Sequence, residues 1–129
     1  MNYLADTVTI VRHFSGTGRI GRVAKIVLEG VESGENYLFL STVSLVEILY
    51  LSEKKRIEID LENSLRKMKG SRNYSVVDLT SNIISRAAEI KYPEVFDRLI
   101  IATAQYLDVP LITSDEGIKE SRFVETVWS

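Results

Sequence analysis

The sequence predicts an α/β fold with a central, mainly parallel sheet of four to five strands, covered by helices on both faces. Short apolar runs of strand length alternate along the chain with longer segments that have the 3.6-residue period of helices. Strands that alternate with helices pair in parallel through right-handed crossovers, which places helices on both faces of the sheet. The chain has 129 residues, the length of one ordinary domain, and we expect residues 1–129 to form a single domain.

Patterning along the chain predicts each element in turn. Strands are predicted where short apolar runs stand between turn-forming residues, and helices where apolar positions recur every three or four residues. The predicted elements, in order, are a strand at 3–7, one or two helices up to residue 32 that are interrupted by the glycine-rich residues 15–18, a turn at 33–36, a strand at 37–40, helices at 43–54 and 61–68, a loop at 70–73, a strand at 74–79, helices at 82–90 and 94–107, a short strand at 110–113, a helical turn at 116–120 and a last strand at 124–127.

Composition excludes several classes of protein and of site. No apolar run approaches the ~20 residues of a membrane helix, and the N-terminus lacks the basic start of a signal peptide. We therefore expect a cytoplasmic protein without a membrane partner. The chain has no Cys and a single His, His13, which excludes thiolate metal sites, cysteine nucleophiles and sites that need two imidazoles. The net charge of −2 gives no general attraction for nucleic acid.

A glycine-rich segment resembles two nucleotide-binding motifs and satisfies neither. Residues 16–21 match G-x-G-x-x-G, but the next strand ends in Leu40, Ser41 and Thr42, without the acid that would hold ribose hydroxyls. The same segment nearly matches a phosphate-binding loop, but Arg22 stands where the motif has Lys. We interpret these residues as a connection between two helices.

Four carboxylates fall where a parallel sheet would bring them together. Asp6 ends the first strand, and Glu47 lies in the first turns of the helix after the second strand. Asp97 is near the start of a long helix, and Asp115 follows the short strand that begins at Pro110. In parallel sheets, ligands bind in the crevice beyond the carboxyl ends of the strands. Because Mg²⁺ and Mn²⁺ prefer oxygen ligands, such a cluster would suit these ions rather than zinc.

Each of these acids also has a purely structural explanation. Asp6 would cap the next helix, and Asp97 would complement a helix N-terminus. Glu47 and Asp115 lie in segments with capping-box spacing, at 44–47 and 113–116. Two carboxylates ~4 Å apart repel by about 4 kcal/mol at an effective dielectric constant near 20. A fold that gathers several of them loses stability unless protons or a cation offset this repulsion.

Four segments of the chain also share a pattern with a known family. They are residues 3–7, 41–48, 96–104 and 110–115. In order and spacing they resemble the signatures of PIN-domain ribonucleases, and among these most closely the small single-domain toxins of VapC type. The resemblance covers nearly the whole chain except residues 54–73, and Val8 departs from it, because the family often has a polar residue there.

The resemblance implies a PIN-like three-layer α/β/α sandwich and a set of site residues. Asp6, Asp97 and Asp115 would be ligands of Mg²⁺ or Mn²⁺, and Glu47 would complete a second ion site or orient the attacking water. Thr113 or Ser114 would orient the neighbouring carboxylate. Apart from the resemblance, the candidates for binding flanking phosphates are Arg12, Arg19, Arg22 or Arg98, and Arg98 is equally a candidate for pairing with a neighbouring acid. His13 is expected to be structural rather than catalytic.

The function implied is a divalent-metal-dependent ribonuclease, the toxin of a toxin–antitoxin pair. Its partners would be an RNA substrate, a small antitoxin protein that covers the acidic edge, and a second copy of the chain in a homodimer. The apolar residues Val46 and 48–51 are candidates for the homodimer surface, or else belong to the core. The alternative function is a non-catalytic PIN-like scaffold that binds RNA or protein. A receiver domain is disfavoured, because Thr7 and Val8 replace the neighbouring acids it requires.

Overall fold

Five short parallel strands form the central sheet. The computed structural model describes residues 1–57 and 59–129. The strands are β1 (Asn2–Ala5), β2 (Tyr37–Ser41), β3 (Tyr74–Val77), β4 (Leu111–Ile112) and β5 (Thr126–Val127). Their order across the sheet is β3-β2-β1-β4-β5, so β1 lies at the centre between β2 and β4. Every pair is parallel, and all five strands therefore end at the same edge.

Seven helices within the described residues surround this sheet. They are α1 (Thr7–Ser15), α2 (Arg22–Ser33), α3 (Thr42–Glu53), α4 (Leu61–Lys69), α5 (Ser81–Ala88), α6 (Val95–Leu107) and α7 (Glu116–Ser121). None of them is both long enough and apolar enough to span a bilayer. The predicted three-layer α/β/α sandwich is confirmed, with a sheet of five strands.

Alternation of side chains along the strands divides the core into two layers. Tyr3 and Ala5 belong to a buried cluster that includes residues of α1, α2 and α4, whereas Leu4 belongs to a second cluster with residues of α5, α6 and α7. The same alternation separates Ile112 from Leu111 in β4. Because successive strand side chains point to opposite faces, one strand serves both layers. Packing of these two layers fixes the position of the sheet edge at which the strands end.

Several helices begin with a side chain that accepts a hydrogen bond from the backbone of the first turn. Asp6, directly after β1, accepts from the N–H of Thr9 at 2.9 Å and caps α1. Ser41, the last residue of β2, caps α3, and Asp115, shortly after β4, caps α7. Such a cap satisfies a backbone donor that the helix leaves free. Two of the four predicted site acids therefore have a structural role as well.

Some predicted boundaries differ from the structure. The first strand ends at Ala5 rather than at residue 7, because the extended backbone of Asp6 already serves α1 as its N-cap. The predicted capping box at 44–47 is wrong, since Ser41 caps α3 and Ser44 lies inside the helix. The box at 113–116 is also wrong, because Asp115 itself is the cap.

The glycine-rich segment at 16–21 connects α1 and α2 and follows a helix, not a strand. Gly16 and Gly18 have φ angles of 70° and 81°, in the left-handed region that favours glycine, so α1 ends here. Gly18 also packs directly on the side chain of Arg12.

The apolar run on α3 divides between core and surface. Ile48 is buried in the core, whereas Val46, Leu49 and Tyr50 are exposed, Val46 to 59%. Leu51 is half-buried. The run is therefore partly core, at Ile48, and partly exposed surface, at Val46, Leu49 and Tyr50.

Truncation of Ile101 tests how much the helical layer on α6 contributes to stability. Ile101 is fully buried, and Ile101→Ala would leave a cavity. We expect it to lower the free energy of unfolding by about 2–5 kcal/mol in urea denaturation. The matched control, Ile84→Ala on α5, removes the same atoms from a side chain that is 49% exposed, and we expect it to cost less than about 1 kcal/mol. Equal losses in the two variants would contradict the described packing.

Candidate active site

The carboxyl edge of the sheet brings the four predicted acids into one region. Asp6 follows the central strand β1, and Asp115 follows its neighbour β4. Glu47 lies in α3, which begins directly after β2, and Asp97 is in the first turn of α6. The negative charges of the other three act on Asp97, so the four carboxylates lie near one another. The parallel topology thus brings residues that are far apart in the sequence close together in space.

Asp6 is held by hydrogen bonds with α1 and with the end of β4. Its backbone N–H donates to the carbonyl of Ile112 at 3.1 Å, which ties it to β4. Burial raises the pKa of the Asp6 carboxyl above its usual range, and the charge of Asp115 adds to this rise. Hydrogen bonds from Thr113 and Thr9 oppose it, because they favour the charged form.

Glu47 is oriented by a threonine from α1. The hydroxyl of Thr7 donates to Oε1 of Glu47 at 2.6 Å, and Oγ1 of Thr7 also lies 3.0 Å from the hydroxyl oxygen of Ser44. Burial raises the pKa of Glu47, the hydrogen bond from Thr7 opposes the rise, and the charges of Glu94 and Asp6 add to it. Glu47 is thus tied to the residue directly after Asp6.

Asp97 is the acid on which the charges of all the others act. Burial raises the pKa of its carboxyl to about 6, and the negative charges of four other carboxylates add to the rise. In decreasing order of effect, these are Glu94, Asp115, Glu47 and Asp6. Glu94 caps α6, and its carboxylate accepts from the backbone N–H of Asp97 at 2.9 Å. Repulsion among like charges disfavours ionisation of all of them together.

Three hydrogen bonds fix the position of Asp115, two accepted by its side chain and one donated by its backbone. Its Oδ1 atom accepts from the backbone N–H of Ile118 at 3.0 Å and from the hydroxyl of Tyr92 at 3.1 Å. Its own N–H donates to Oγ1 of Thr113 at 3.1 Å. Burial raises the pKa of Tyr92 to about 12, with the hydrogen bond to Asp115 and nearby carboxylates adding to it. The buried hydroxyl of Thr113 thus links Asp115 to Asp6.

The cluster carries negative charge without a compensating basic side chain. Among residues 1–57 and 59–129, no Lys, Arg or His forms an ion pair with any of the four acids. In the same part of the chain, no three Asp, Glu or His side chains converge closely enough to hold one metal ion. The charges of neighbouring carboxylates nevertheless contribute to the raised pKa of Asp6, Glu47 and Asp97. As oxygen donors that no cation neutralises, they fit a hard divalent ion by their chemistry.

The other predicted site residues differ in their surroundings. Thr113 is buried within the cluster, whereas Ser114 is exposed, and its hydroxyl has no hydrogen bond within the described residues. Arg12 donates to the carbonyl of Arg19 at 2.7 Å and lines a separate cavity with His13. Arg98 follows Asp97, and its Nε atom is buried without a hydrogen-bond partner in the described chain.

His13 lies apart from the acids, as expected for a structural residue. Its Nε2 atom is 3.2 Å from both Oε1 of Glu32 and the hydroxyl of Tyr74. Burial lowers the pKa of His13, although the neighbouring charge of Glu32 opposes this effect.

Sequence reasoning missed three residues of the cluster. Glu94 is a fifth carboxylate, and a signal was available, since it stands at the start of α6 three residues before Asp97. For Thr7, the available signal was its position directly after Asp6, but this did not indicate its hydrogen bond to Glu47. Tyr92 carried no signal, because its contact with Asp115 depends on how the segment before α6 packs on α7.

Comparison with known proteins identifies the family. The chain matches the PIN domain family over residues 3–124 and belongs to that family. No curated protein sequence matches it significantly.

Solved structures with the same fold include toxin–antitoxin proteins. VapBC2 from Rickettsia felis, bound to a DNA fragment from its promoter, has a TM-score of 0.71 and 17% identity, with all of both chains covered. VapC20 from Mycobacterium tuberculosis, a sarcin-ricin loop cleaving toxin, has a TM-score of 0.69 and 16% identity over 98% of this chain and 99% of that chain. A toxin–antitoxin complex from Klebsiella pneumoniae has a TM-score of 0.64 and 22% identity over 97% and 95% of the two chains. At these identities the likeness establishes the fold.

Asp97→Asn is expected to change how stability depends on pH. The carboxyl of Asp97 has a raised pKa of about 6, against a reference value of 3.8, so it binds its proton more tightly in the folded protein. Its stabilising contribution is complete below pH ~4 and is lost as the pH rises through 6. In EDTA, the melting temperature of Asp97→Asn should therefore increase relative to wild type between pH 4 and pH 7.

The matched control is Asp78→Asn, which changes an exposed aspartate between β3 and α5. Its melting temperature should follow that of wild type across the same pH range. Parallel curves for wild type and Asp97→Asn would contradict the destabilising burial and repulsion at Asp97.

Proposed function

We propose that this protein is a divalent-metal-dependent ribonuclease that hydrolyses RNA phosphodiester bonds, and that residues 1–129 form a single domain. The observation that carries the proposal is a group of carboxylates at the carboxyl edge of the sheet, where burial and the charges of neighbouring acids raise the pKa of Asp6, Glu47 and Asp97. Within the described chain, no basic side chain pairs with any of the four predicted acids. A fold retains such repulsion at a stability cost, and a cation bound there would remove it.

Asp6, Asp97 and Asp115 would hold Mg²⁺ or Mn²⁺, and Glu47 would complete a second ion site or orient the attacking water. A bound ion would neutralise the scissile phosphate and activate water. The chain's hydroxyls would keep the carboxylates charged and oriented: Thr113 and Thr9 favour ionised Asp6, and Thr7 favours ionised Glu47. Arg98 and Arg12 remain candidates for contacts with substrate phosphates.

Protonation of Asp97 would compete with metal binding, since a carboxylate must be deprotonated to bind a metal ion. With a pKa of about 6, Asp97 is ionised at neutral pH and mostly protonated at pH 5. Neutral pH therefore suits the proposed activity better than mildly acidic pH.

The physiological role we propose is that of the toxin in a cytoplasmic toxin–antitoxin pair. Membership of the PIN domain family and structural likeness to VapBC and VapC proteins support it. A cleft of about 390 Å³, lined by Val46, Glu47, Tyr50, Leu51 and Phe96, adjoins the acidic cluster through Glu47. The exposed apolar surface of α3 would suit a homodimer, and the acidic edge beside it would suit a small antitoxin.

A second candidate function is a non-catalytic PIN-like scaffold that binds RNA or protein. The observation that favours it is the spacing of the acids, since no three of them within the described chain converge to hold a metal ion. The two functions differ in whether the bound RNA is cleaved.

Mn²⁺ is expected to stabilise the wild type. A ligand that binds the folded state alone adds about 2.7 kcal/mol to the free energy of unfolding at 100 times its Kd. Millimolar Mn²⁺ should therefore raise the melting temperature at pH 7.5, measured against an EDTA control. Asp97→Asn should lose this response, and Asp78→Asn should retain it. An equal response in Asp97→Asn would place the ion elsewhere.

Cleavage of structured RNA with Mn²⁺ tests the proposed activity directly. Wild type and Asp78→Asn should cleave, and Asp97→Asn should lose all measurable cleavage, because it removes a proposed metal ligand. Cleavage by all three proteins would indicate a contaminating nuclease. A wild type that binds Mn²⁺ and RNA but cleaves none of the RNAs would favour the scaffold.

A further inference from the structure

Tyr92 makes a contact with the acidic cluster that the proposed function does not use. It lies between α5 and α6, outside both helices, and its hydroxyl donates to Oδ1 of Asp115 at 3.1 Å. The same oxygen accepts the backbone N–H of Ile118 at 3.0 Å. Oδ1 therefore already has two donors, while Oδ2 of Asp115 has no hydrogen bond within the described residues.

Gly117 explains why the tyrosine hydroxyl can come this close. A Cβ atom at position 117 would lie 2.5 Å from Oη of Tyr92 and 3.1 Å from Oδ1 of Asp115. Both distances are too short, so any larger residue would push the hydroxyl away. Glycine inside a helix weakens it, and the backbone of Gly117 does not have a positive φ that would require glycine. The close approach of Tyr92 is the feature of the structure that requires it.

We infer that Tyr92 is a positioning residue: its hydroxyl, for which Gly117 leaves room, occupies Oδ1 of Asp115 and leaves Oδ2 as the oxygen that binds the divalent ion. The inference rests on the proposed function. An oxygen with two hydrogen-bond donors has less electron density to offer a cation than one with none. Groups that hold a ligating side chain from outside typically change metal affinity 10- to 100-fold when they are removed.

Tyr92→Phe removes the hydroxyl and keeps the ring, which packs against the core layer that includes α5 and α6. We expect Mn²⁺ to bind about tenfold more weakly, as measured by isothermal titration calorimetry at pH 7.5. The increase in melting temperature on addition of Mn²⁺, taken for each variant relative to its own EDTA sample, should decrease in parallel. This difference separates metal binding from any change in the stability of the metal-free fold.

Gly117→Ala tests the same contact from the other side, since the methyl group would displace the hydroxyl of Tyr92. It should weaken Mn²⁺ binding in the same direction. In the double variant Tyr92→Phe/Gly117→Ala the combined loss should be smaller than the sum of the two, because the alanine then has no hydroxyl to displace and only its contact with Oδ1 of Asp115 remains. The matched control is Tyr106→Phe, which removes the hydroxyl of an exposed tyrosine on α6 and should bind Mn²⁺ as wild type does.

The outcomes separate this inference from the proposed function. If wild type and Tyr92→Phe bind Mn²⁺ equally, Tyr92 does not position Asp115, and the proposed ribonuclease stands. If Tyr106→Phe weakens binding as much as Tyr92→Phe, the effect is not specific to this contact and the inference fails. If the wild type binds no Mn²⁺ and cleaves no RNA, both fail together.

Discussion

Electrostatic repulsion among carboxylates at one edge of the sheet is the constraint on which the rest of the site depends. Parallel pairing gives β1, β2 and β4 a common end, so acids that are far apart in the chain meet there. The two apolar layers on either face supply the stability that this arrangement costs. The site is the part of the α/β fold where like charges repel, and this repulsion favours the uptake of a proton or a cation there.

Capping and site roles coincide in this fold. From the sequence, a helix cap and a metal ligand are competing explanations for Asp6 and for Asp115. In the structure both residues cap helices and both lie in the acidic cluster. A carboxylate has two oxygens and several lone pairs, so it can accept a backbone N–H and still have lone pairs for a cation. The N-cap therefore fixes the side chain beside the sheet edge without removing its capacity to bind a cation.

The sequence was sufficient for the fold class, the order of the elements and the location of the four acids, because periodicity and strand ends are local patterns. It was insufficient for features that depend on contacts between side chains distant in the sequence. The hydrogen bond between Tyr92 and Asp115 joins segments 23 residues apart and depends on the absence of a side chain at Gly117. The start of α3 was predicted a residue late, because Ser41 serves both as the end of β2 and as the cap. Distances between the carboxylates are set by the packing of whole helices, which no short motif encodes.

Folding changes the proton affinity of His13 and of the acids in opposite directions. Burial lowers the pKa of His13, so acidification below its reference value of 6.5 destabilises the fold through this residue. The acidic group around Asp97 instead takes up protons on folding and is relieved by the same acidification. The chain thus carries two antagonistic proton couplings, so that mild acidification weakens the fold around His13 and relieves the sheet edge at the same time.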